Sequence, residues 1–390
     1  MDPFDNPFSP GAGISPPELA GRAEIIRTAE TSYMRVLRRK APRPLMLLGL
    51  RGTGKTVLLN KCREMGVTNG LPVSLIESPE AVSLASLLFP EMRKILTKLS
   101  ISEKAKLLAE QGLGALRSFA AAFDITVGGV GVKIAEQPGM ADSGDIQADL
   151  PELFELIGRA AAADGTAWVL LVDEIQYLSA EDLSGLIVAL HKSAQAKLPI
   201  VFVGAGLPQT ARLAGDAKSY AERMFVFFDV GPLHADDAAA AIRVPLKQEG
   251  ADIEGTALDF MIDLSKGYPF FLQEWGAHLW DTAQISPFTI DDAQYAYNSA
   301  LSQLDHGFFK VRVDRLSASE TRFVEAMAAL GDGPYSMNDI AKRLGKAVQA
   351  LSTTRQKIIQ KGMIYSVQYG SLDFTVPLFS EYIRRTKTTT

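Results

Sequence analysis

Gly49-Leu50-Arg51-Gly52-Thr53-Gly54-Lys55-Thr56 fits the pattern G-x-x-x-x-G-K-[ST], and its flanks decide how the chain folds. Pro44-Leu45-Met46-Leu47-Leu48 before it is a short apolar run of the kind that forms a buried parallel strand, and Val57 to Met65 after it reads as a helix. Strand, glycine loop and helix N-terminus in that order make an anion site. Glycines let backbone N–H groups wrap a phosphate, Lys55 adds a point charge at the β- and γ-phosphates, and the Thr56 hydroxyl can hold Mg²⁺. The candidate phosphate-binding residues are therefore Gly49, Leu50, Arg51, Gly52, Thr53, Gly54, Lys55, Thr56 and Val57.

A second motif completes this chemistry. Trp168-Val169-Leu170-Leu171-Val172 is an apolar run ending in Asp173-Glu174, so two carboxylates emerge at the C-terminal end of an expected central strand. Ligands of open α/β sheets bind at that end. Asp173 is suited to hold Mg²⁺ with Thr56, while Glu174 can orient and deprotonate a water attacking a γ-phosphate.

The remaining patterns build outward from these motifs. Apolar runs at 44–48, 71–76, 168–172, 198–203 and 224–228 alternate with helical patterns, which predicts a five-stranded parallel sheet covered on both faces. Residues 1–17, rich in Pro, Gly and Ser, predict an extended arm before a helix from Glu18 to Arg39. The core spans 18–230 and carries a long insert at 77–167, in which residues 125–132 read as a hairpin across Gly128-Gly129. Residues 231–312 predict an all-α lid and connector. Residues 313–390 predict three helices, a two-stranded wing at 363–367 and 372–376, and a last helix, the order of a winged helix-turn-helix.

Composition limits the classes open to the chain. Its 390 residues are 47% hydrophobic, enough for two or three domains with a sizeable core. No apolar run of membrane-spanning length occurs and the start lacks a signal-peptide pattern, so no membrane partner is expected. A lone cysteine, Cys62, fits a reducing cytoplasm and reads as a small packing residue, and the four histidines lack metal-ligand spacing. From Arg315 onward there are eleven Lys or Arg against six Asp or Glu, whereas the rest holds twenty-nine against thirty-nine. A basic tail on an acidic body points to an anionic partner for the tail.

Taken together, Pro16-Pro17-Glu18-Leu19-Ala20-Gly21-Arg22, the motif at Gly49 to Thr56, Asp173-Glu174-Ile175-Gln176, the helical lid and the terminal winged helix resemble an AAA+ ATPase. Within that superfamily the order is similar to the origin-recognition initiators and related archaeal and bacterial ATPases, which grade into STAND signalling NTPases. The expected fold is an α/β P-loop NTPase core with a parallel sheet, an all-α lid and a C-terminal winged helix.

The resemblance implies ATP or ADP as ligand, Mg²⁺ as cofactor, an adenine contact at Leu19, Gly21 and Arg22, and Glu174 as hydrolytic base assisted by Lys55. It also implies that Arg223, before the fifth strand, is the finger a neighbouring subunit inserts, or else pairs with Glu222. The fourth strand ends Val203-Gly204-Ala205-Gly206-Leu207 with no polar sensor, unless Gln209 serves, so turnover is expected to be slow or differently gated. Gly267-Tyr268-Pro269 lacks the arginine of many AAA+ lids and is similar to the STAND turn, in which Pro269 approaches the nucleotide through backbone and shape.

On the third tail helix, Lys346, Gln349, Arg355, Lys357 and Lys361 suit contacts to double-stranded DNA. Two readings stay open at this point. One is a nucleotide-dependent switch on DNA, and the other is a STAND-like signalling NTPase whose winged helix binds protein or locks the lid. A metabolic kinase is disfavoured because no substrate domain remains unassigned.

Overall fold

The computed structural model describes residues 1–99, 102–125 and 139–387, and the hairpin predicted at 125–132 lies, apart from Ile125, outside them. The chain packs into two compact units, one of residues 23–48 and 55–229 and the other of residues 1–22, 49–54 and 230–390.

The first unit is built on five strands: β1 (Leu45–Leu48), β2 (Val73–Glu77), β3 (Trp168–Asp173), β4 (Ile200–Gly206) and β5 (Val226–Asp229). Their order is β2-β3-β4-β1-β5 and every pairing is parallel, as the five buried apolar runs predict. Helices α1 (Ala23–Leu37), α2 (Lys55–Thr68), α3 (Leu84–Lys98), α4 (Glu103–Ala122), α5 (Ile146–Ala163), α6 (Ala180–Gln195), α7 (Thr210–Ala217) and α8 (Ala221–Met224) surround the sheet. The insert between β2 and β3 is helical where described. Leu88, Phe119, Leu153 and Phe154 from α3, α4 and α5 share one buried cluster with Leu170 and Phe202 of the sheet. The first helix begins at Ala23, five residues later than the pattern suggests, because Leu19 to Arg22 form a turn of their own.

The second unit holds the helices α9 (Ala235–Gln248), α10 (Gly255–Ser265), α11 (Pro269–Thr282) and α12 (Ile290–Leu304), a π-helical turn at Asp305–Phe309, and α13 (Lys310–Asp314). The C-terminal domain follows with α14 (Ala318–Ala328), β6 (Tyr335–Ser336), α15 (Met337–Leu344), α16 (Ser352–Gln360), β7 (Ile364–Gln368), β8 (Ser371–Phe374) and α17 (Phe379–Lys387). This order is compatible with a winged helix. Instead of a two-stranded wing, however, the sheet has three strands in the order β6-β8-β7, because Tyr335 and Ser336 add an antiparallel edge to β8.

Lid and C-terminal domain share a single core in which Trp275, Phe309, Phe323 and Phe379 are buried together. The N-terminal arm is part of that core. Phe8 is buried, Asn6 donates to the Ala277 carbonyl and the Asp281 carboxylate, and the Trp280 indole donates to the Asp2 carbonyl, so residues 2–9 run along α11.

Candidate nucleotide site

In the parallel-sheet unit the C-terminal strand ends bring two distant motifs together. Lys55 and Thr56 open α2, and Asp173 closes β3. The Thr56 hydroxyl donates to Asp173 Oδ2 at 2.6 Å across 117 residues of sequence. The other oxygen, Oδ1, accepts from the Glu174 N–H at 2.8 Å, so the carboxylate is fixed at both ends. Burial pushes the Asp173 carboxyl up from its ordinary value, and the hydrogen bonds from Thr56 and Glu174 and the charge of Lys55 only partly offset this. A buried carboxylate in that condition is stabilised by a nearby cation. Thr56 and Asp173 supply two hard oxygen donors, as few as Mg²⁺ commonly takes from protein when phosphate oxygens and waters complete its shell. Among the described residues no group of three or more His, Cys, Asp and Glu could hold a metal.

Glu174 has a left-handed backbone, φ 53°, which turns the chain sharply after β3. The Gln176 amide donates to Glu174 Oε2, and its oxygen accepts the Leu207 N–H at 3.0 Å just past the end of β4. Gln209, the residue considered for that strand end, precedes α7 and makes no capping bond. Sequence reading overlooked Gln176 as a site residue. Its signal was its place two residues after the second carboxylate, visible only once β4 is known to end beside it.

In the other unit, Gly49 to Gly54 are held by three neighbours. Arg22, buried, donates to the carbonyls of Thr53 and Gly231, which gives this expected adenine-side residue a structural hold on the phosphate loop. Phe270, one residue into α11 after Pro269, donates its N–H to the Gly52 carbonyl at 3.2 Å. Arg51 donates its N–H to the carbonyl of Thr375, beyond β8 of the C-terminal domain, also at 3.2 Å. Gly52 is obligatory here. Its φ is 83°, and an added Cβ would come within 3.1 Å of Phe270 Cβ. Within the loop, the Thr53 hydroxyl donates to the Leu50 carbonyl at 2.9 Å. Leu19 and Gly21 lie in the turn before Arg22, where an added Cβ on Gly21 would meet the Asp237 carboxylate. Val57 follows Thr56 in the first turn of α2.

Arg223 lies in α8, exposed, with its carbonyl fixed by the Arg43 guanidinium, and it makes no ion pair among the described residues. On the C-terminal domain, Lys346, Gln349 and Lys357 are exposed and Arg355 is half-buried. Exposed Lys342 and Arg343 at the end of α15 extend this basic surface, although the sequence reading did not select them.

Lys361 is different. Its ammonium donates to the buried Glu320 carboxylate at 2.7 Å and to the Arg315 carbonyl at 2.8 Å, so it serves α14 inside the domain. Burial alone would raise the Glu320 carboxyl. The bonds from Lys361 and Ser317 more than offset that and hold it below its ordinary value.

A family model described as AAA ATPase domain matches residues 18–203, and one described as a domain of unknown function, DUF8462, matches residues 306–383. No curated protein sequence matches the chain. Among solved structures, the Walker-type ATPase PABY2304 of Pyrococcus abyssi superposes with a TM-score of 0.58 at 17% identity, covering 94% of this chain and 96% of that one. That likeness is one of fold. The Orc1 protein of Aeropyrum pernix in complex with DNA (TM-score 0.45, 14% identity, 96% and 94% covered) and the RuvB Holliday junction branch migration motor of Thermotoga maritima (TM-score 0.47, 14% identity, 96% and 99% covered) are more distant in shape. Among the described residues no helix is long and apolar enough to cross a membrane.

The Lys361–Glu320 pair predicts a stability effect with a defined pH dependence. Lys361→Ala should lower the denaturant resistance of the C-terminal domain at pH 7 by about 1.5–3 kcal/mol, the contribution of one hydrogen bond to a charged group, while the Ser317 N–H still serves the carboxylate. Because the Glu320 carboxyl is depressed in the folded state, the pair's contribution is full above the unfolded value of about 4.3 and fades as pH falls through the lower folded one. The gap between wild type and variant should therefore narrow in acid. A gap equal at pH 7 and pH 3 would exclude this account.

Proposed function

From the match of residues 18–203 to the AAA ATPase domain model, we propose that the chain binds ATP with Mg²⁺, hydrolyses it slowly, and acts as a nucleotide-dependent switch on double-stranded DNA. The observation that carries the nucleotide part is the 2.6 Å bond between Thr56 and Asp173, which unites the two motifs. In this reading Gly49 to Val57 hold the phosphates, Leu19, Gly21 and Arg22 lie against the adenine, and Pro269 approaches the nucleotide through backbone and shape. Thr56 and Asp173 would hold Mg²⁺, which when bound neutralises phosphate charge. Glu174 takes the proton of a water whose oxygen bonds to the γ-phosphorus. The bond from that phosphorus to the bridging oxygen breaks, and ADP leaves with the electron pair. Lys55 stabilises charge on the phosphates throughout.

The exposed cations on α15, on α16 and between them favour phosphate contacts and support the DNA part. Self-association through Arg223 would place a guanidinium, unpaired with any acid among the described residues, against a neighbour's γ-phosphate. A second reading is favoured by the bond from Arg51 N–H to the Thr375 carbonyl, because a C-terminal domain that touches the phosphate loop can lock it, as a signalling NTPase requires.

Lys55→Ala should abolish ATP binding in a calorimetric titration, whereas Glu174→Gln should bind ATP and lose turnover; equal affinity in wild type and Lys55→Ala would refute the assignment. Mixing inactive Arg223→Ala and Glu174→Gln proteins should recover part of the ATPase rate, since one subunit supplies the base and the other the guanidinium. No recovery, with specific activity independent of concentration, means a monomeric switch. Replacing Arg355 and Lys357 together by Ala should flatten the slope of log DNA affinity against log salt by about two units and leave ATP affinity unchanged. A wild-type protein without salt-sensitive affinity for duplex DNA, with or without ATP, decides for the locking role.

A further inference from the structure

The Gln176 side chain bridges two strand ends. Its Nε2 donates to Glu174 Oε2 after β3, and its Oε1 accepts the N–H of Leu207 after β4 at 3.0 Å. Leu207 is buried, so its N–H has no recourse to water if Gln176 is lost. The fit around the bridge is close. A Cβ on Gly206 would lie 2.9 Å from Gln176 Oε1 and 2.5 Å from the hydroxyl of Thr210, which is fully buried and has no hydrogen-bond partner among the described residues.

Of the two carboxylates at the end of β3, Asp173 is held by Thr56 and by the Glu174 N–H. Gln176 gives the Glu174 carboxylate its own hold. A free glutamate side chain has three rotatable bonds, and each rotamer carries its carboxylate to a different place. An amide donor fixed by its other end to the strand selects one.

We infer that Gln176 is the positioning residue of the ATPase site: it orients the Glu174 carboxylate and ties that orientation to the backbone at Gly206-Leu207, so that a shift of the β4 end moves the base. This rests on the reading of Glu174 as hydrolytic base. Gln176 itself touches no reacting atom. Its contribution is realised when a proton must leave the attacking water along one direction, a geometric demand of the transition state and not of ATP binding.

The two halves of the amide can be separated by substitution. Gln176→Ala removes both bonds. Gln176→Glu keeps an acceptor for the Leu207 N–H and loses the donor to Glu174. Gly206→Ala leaves the residue in place and displaces its oxygen by the clash described above.

The experiment measures, on the full chain, steady-state ATP hydrolysis, ATP affinity by calorimetry, and the thermal midpoint. Gln176→Ala and Gln176→Glu should each lower kcat by at least about tenfold, a fraction of the 10²–10⁴ that a general base supplies. KM and ATP affinity should stay within about twofold of wild type, the pattern of an interaction made in the transition state. Gln176→Glu should keep a wild-type thermal midpoint, and Gly206→Ala should lower kcat in the same direction.

A merely structural Gln176 gives a different result: Gln176→Glu at wild-type kcat, with Gln176→Ala losing stability and ATP affinity together. Either finding overturns the inference. Glu174→Gln run in parallel separates the two levels. If it hydrolyses ATP like wild type, the reading of the base fails and Gln176 falls with it; if it is inactive while the Gln176 variants turn over normally, only the positioning role fails.

Discussion

The level at which the parallel strands end governs the chemistry of this molecule. Leu48 pairs with Gly206 and Val172 with Gly204, so β1 and β3 stop within about one strand step of each other on either side of β4. Only with that register can a hydroxyl on the first turn of α2 reach a carboxylate at the tip of β3. A shift of one residue in either pairing would move a side chain by about 3.3 Å and turn it to the opposite face of the sheet. Burial on both faces enforces the register, since Leu170, Leu171, Val201 and Val203 are fully enclosed and any slip would leave their contacts unmatched.

The phosphate loop is constrained from another direction. Gly49 to Gly54 form no regular element, yet Arg22, Phe270 and Thr375 each take up one of the loop's backbone groups. These bonds fix the carbonyls of Leu50, Gly52 and Thr53 and the N–H of Arg51 before any ligand arrives. That preorganisation lowers the ordering cost of binding. The aromatic contacts extend the hold, for Phe270 stacks on Phe308 with centroids 5.2 Å apart, and the Arg312 guanidinium covers Phe308 at 4.3 Å.

Much of this architecture was legible in the chain. Five apolar runs gave five strands, and residues 231–312, predicted to be all-α, hold α9 to α12. Boundaries moved where a proline or a close approach intervened. β2 begins at Val73 and not at Leu71, because Pro72 has no N–H to offer and only its carbonyl is used, by Val169. β4 runs on through Gly204-Ala205-Gly206, beyond the apolar run at 198–203; as a central strand it has neighbours so near that a Cβ on Gly204 would meet Ile175 at 2.3 Å. The long-range partners were illegible for a different reason. Nothing local to Lys361 distinguishes a lysine bound to Glu320 from one facing solvent, and nothing near Arg51 announces Thr375. Such pairings follow from how elements dock, which residue spacing does not record.

The two functional readings meet in the C-terminal domain and share a physical basis. Thr375, whose carbonyl takes the Arg51 N–H, also bonds through its hydroxyl to the Gly362 carbonyl, at the end of α16. Ile358 of α16 is buried in the same cluster as Leu372 and Phe374 of β8, so the helix that presents Lys357 and the strand that leads to Thr375 are one packed body. A close-packed body of this kind does not yield residue by residue; its elements shift together or not at all. Any ligand that binds α16 more tightly in one arrangement of that body therefore biases the bond to Arg51, and by linkage the state of the phosphate loop biases that ligand's affinity equally. Under either proposal, a lock on the loop and a sensor of an outside partner would be the same device approached from opposite ends.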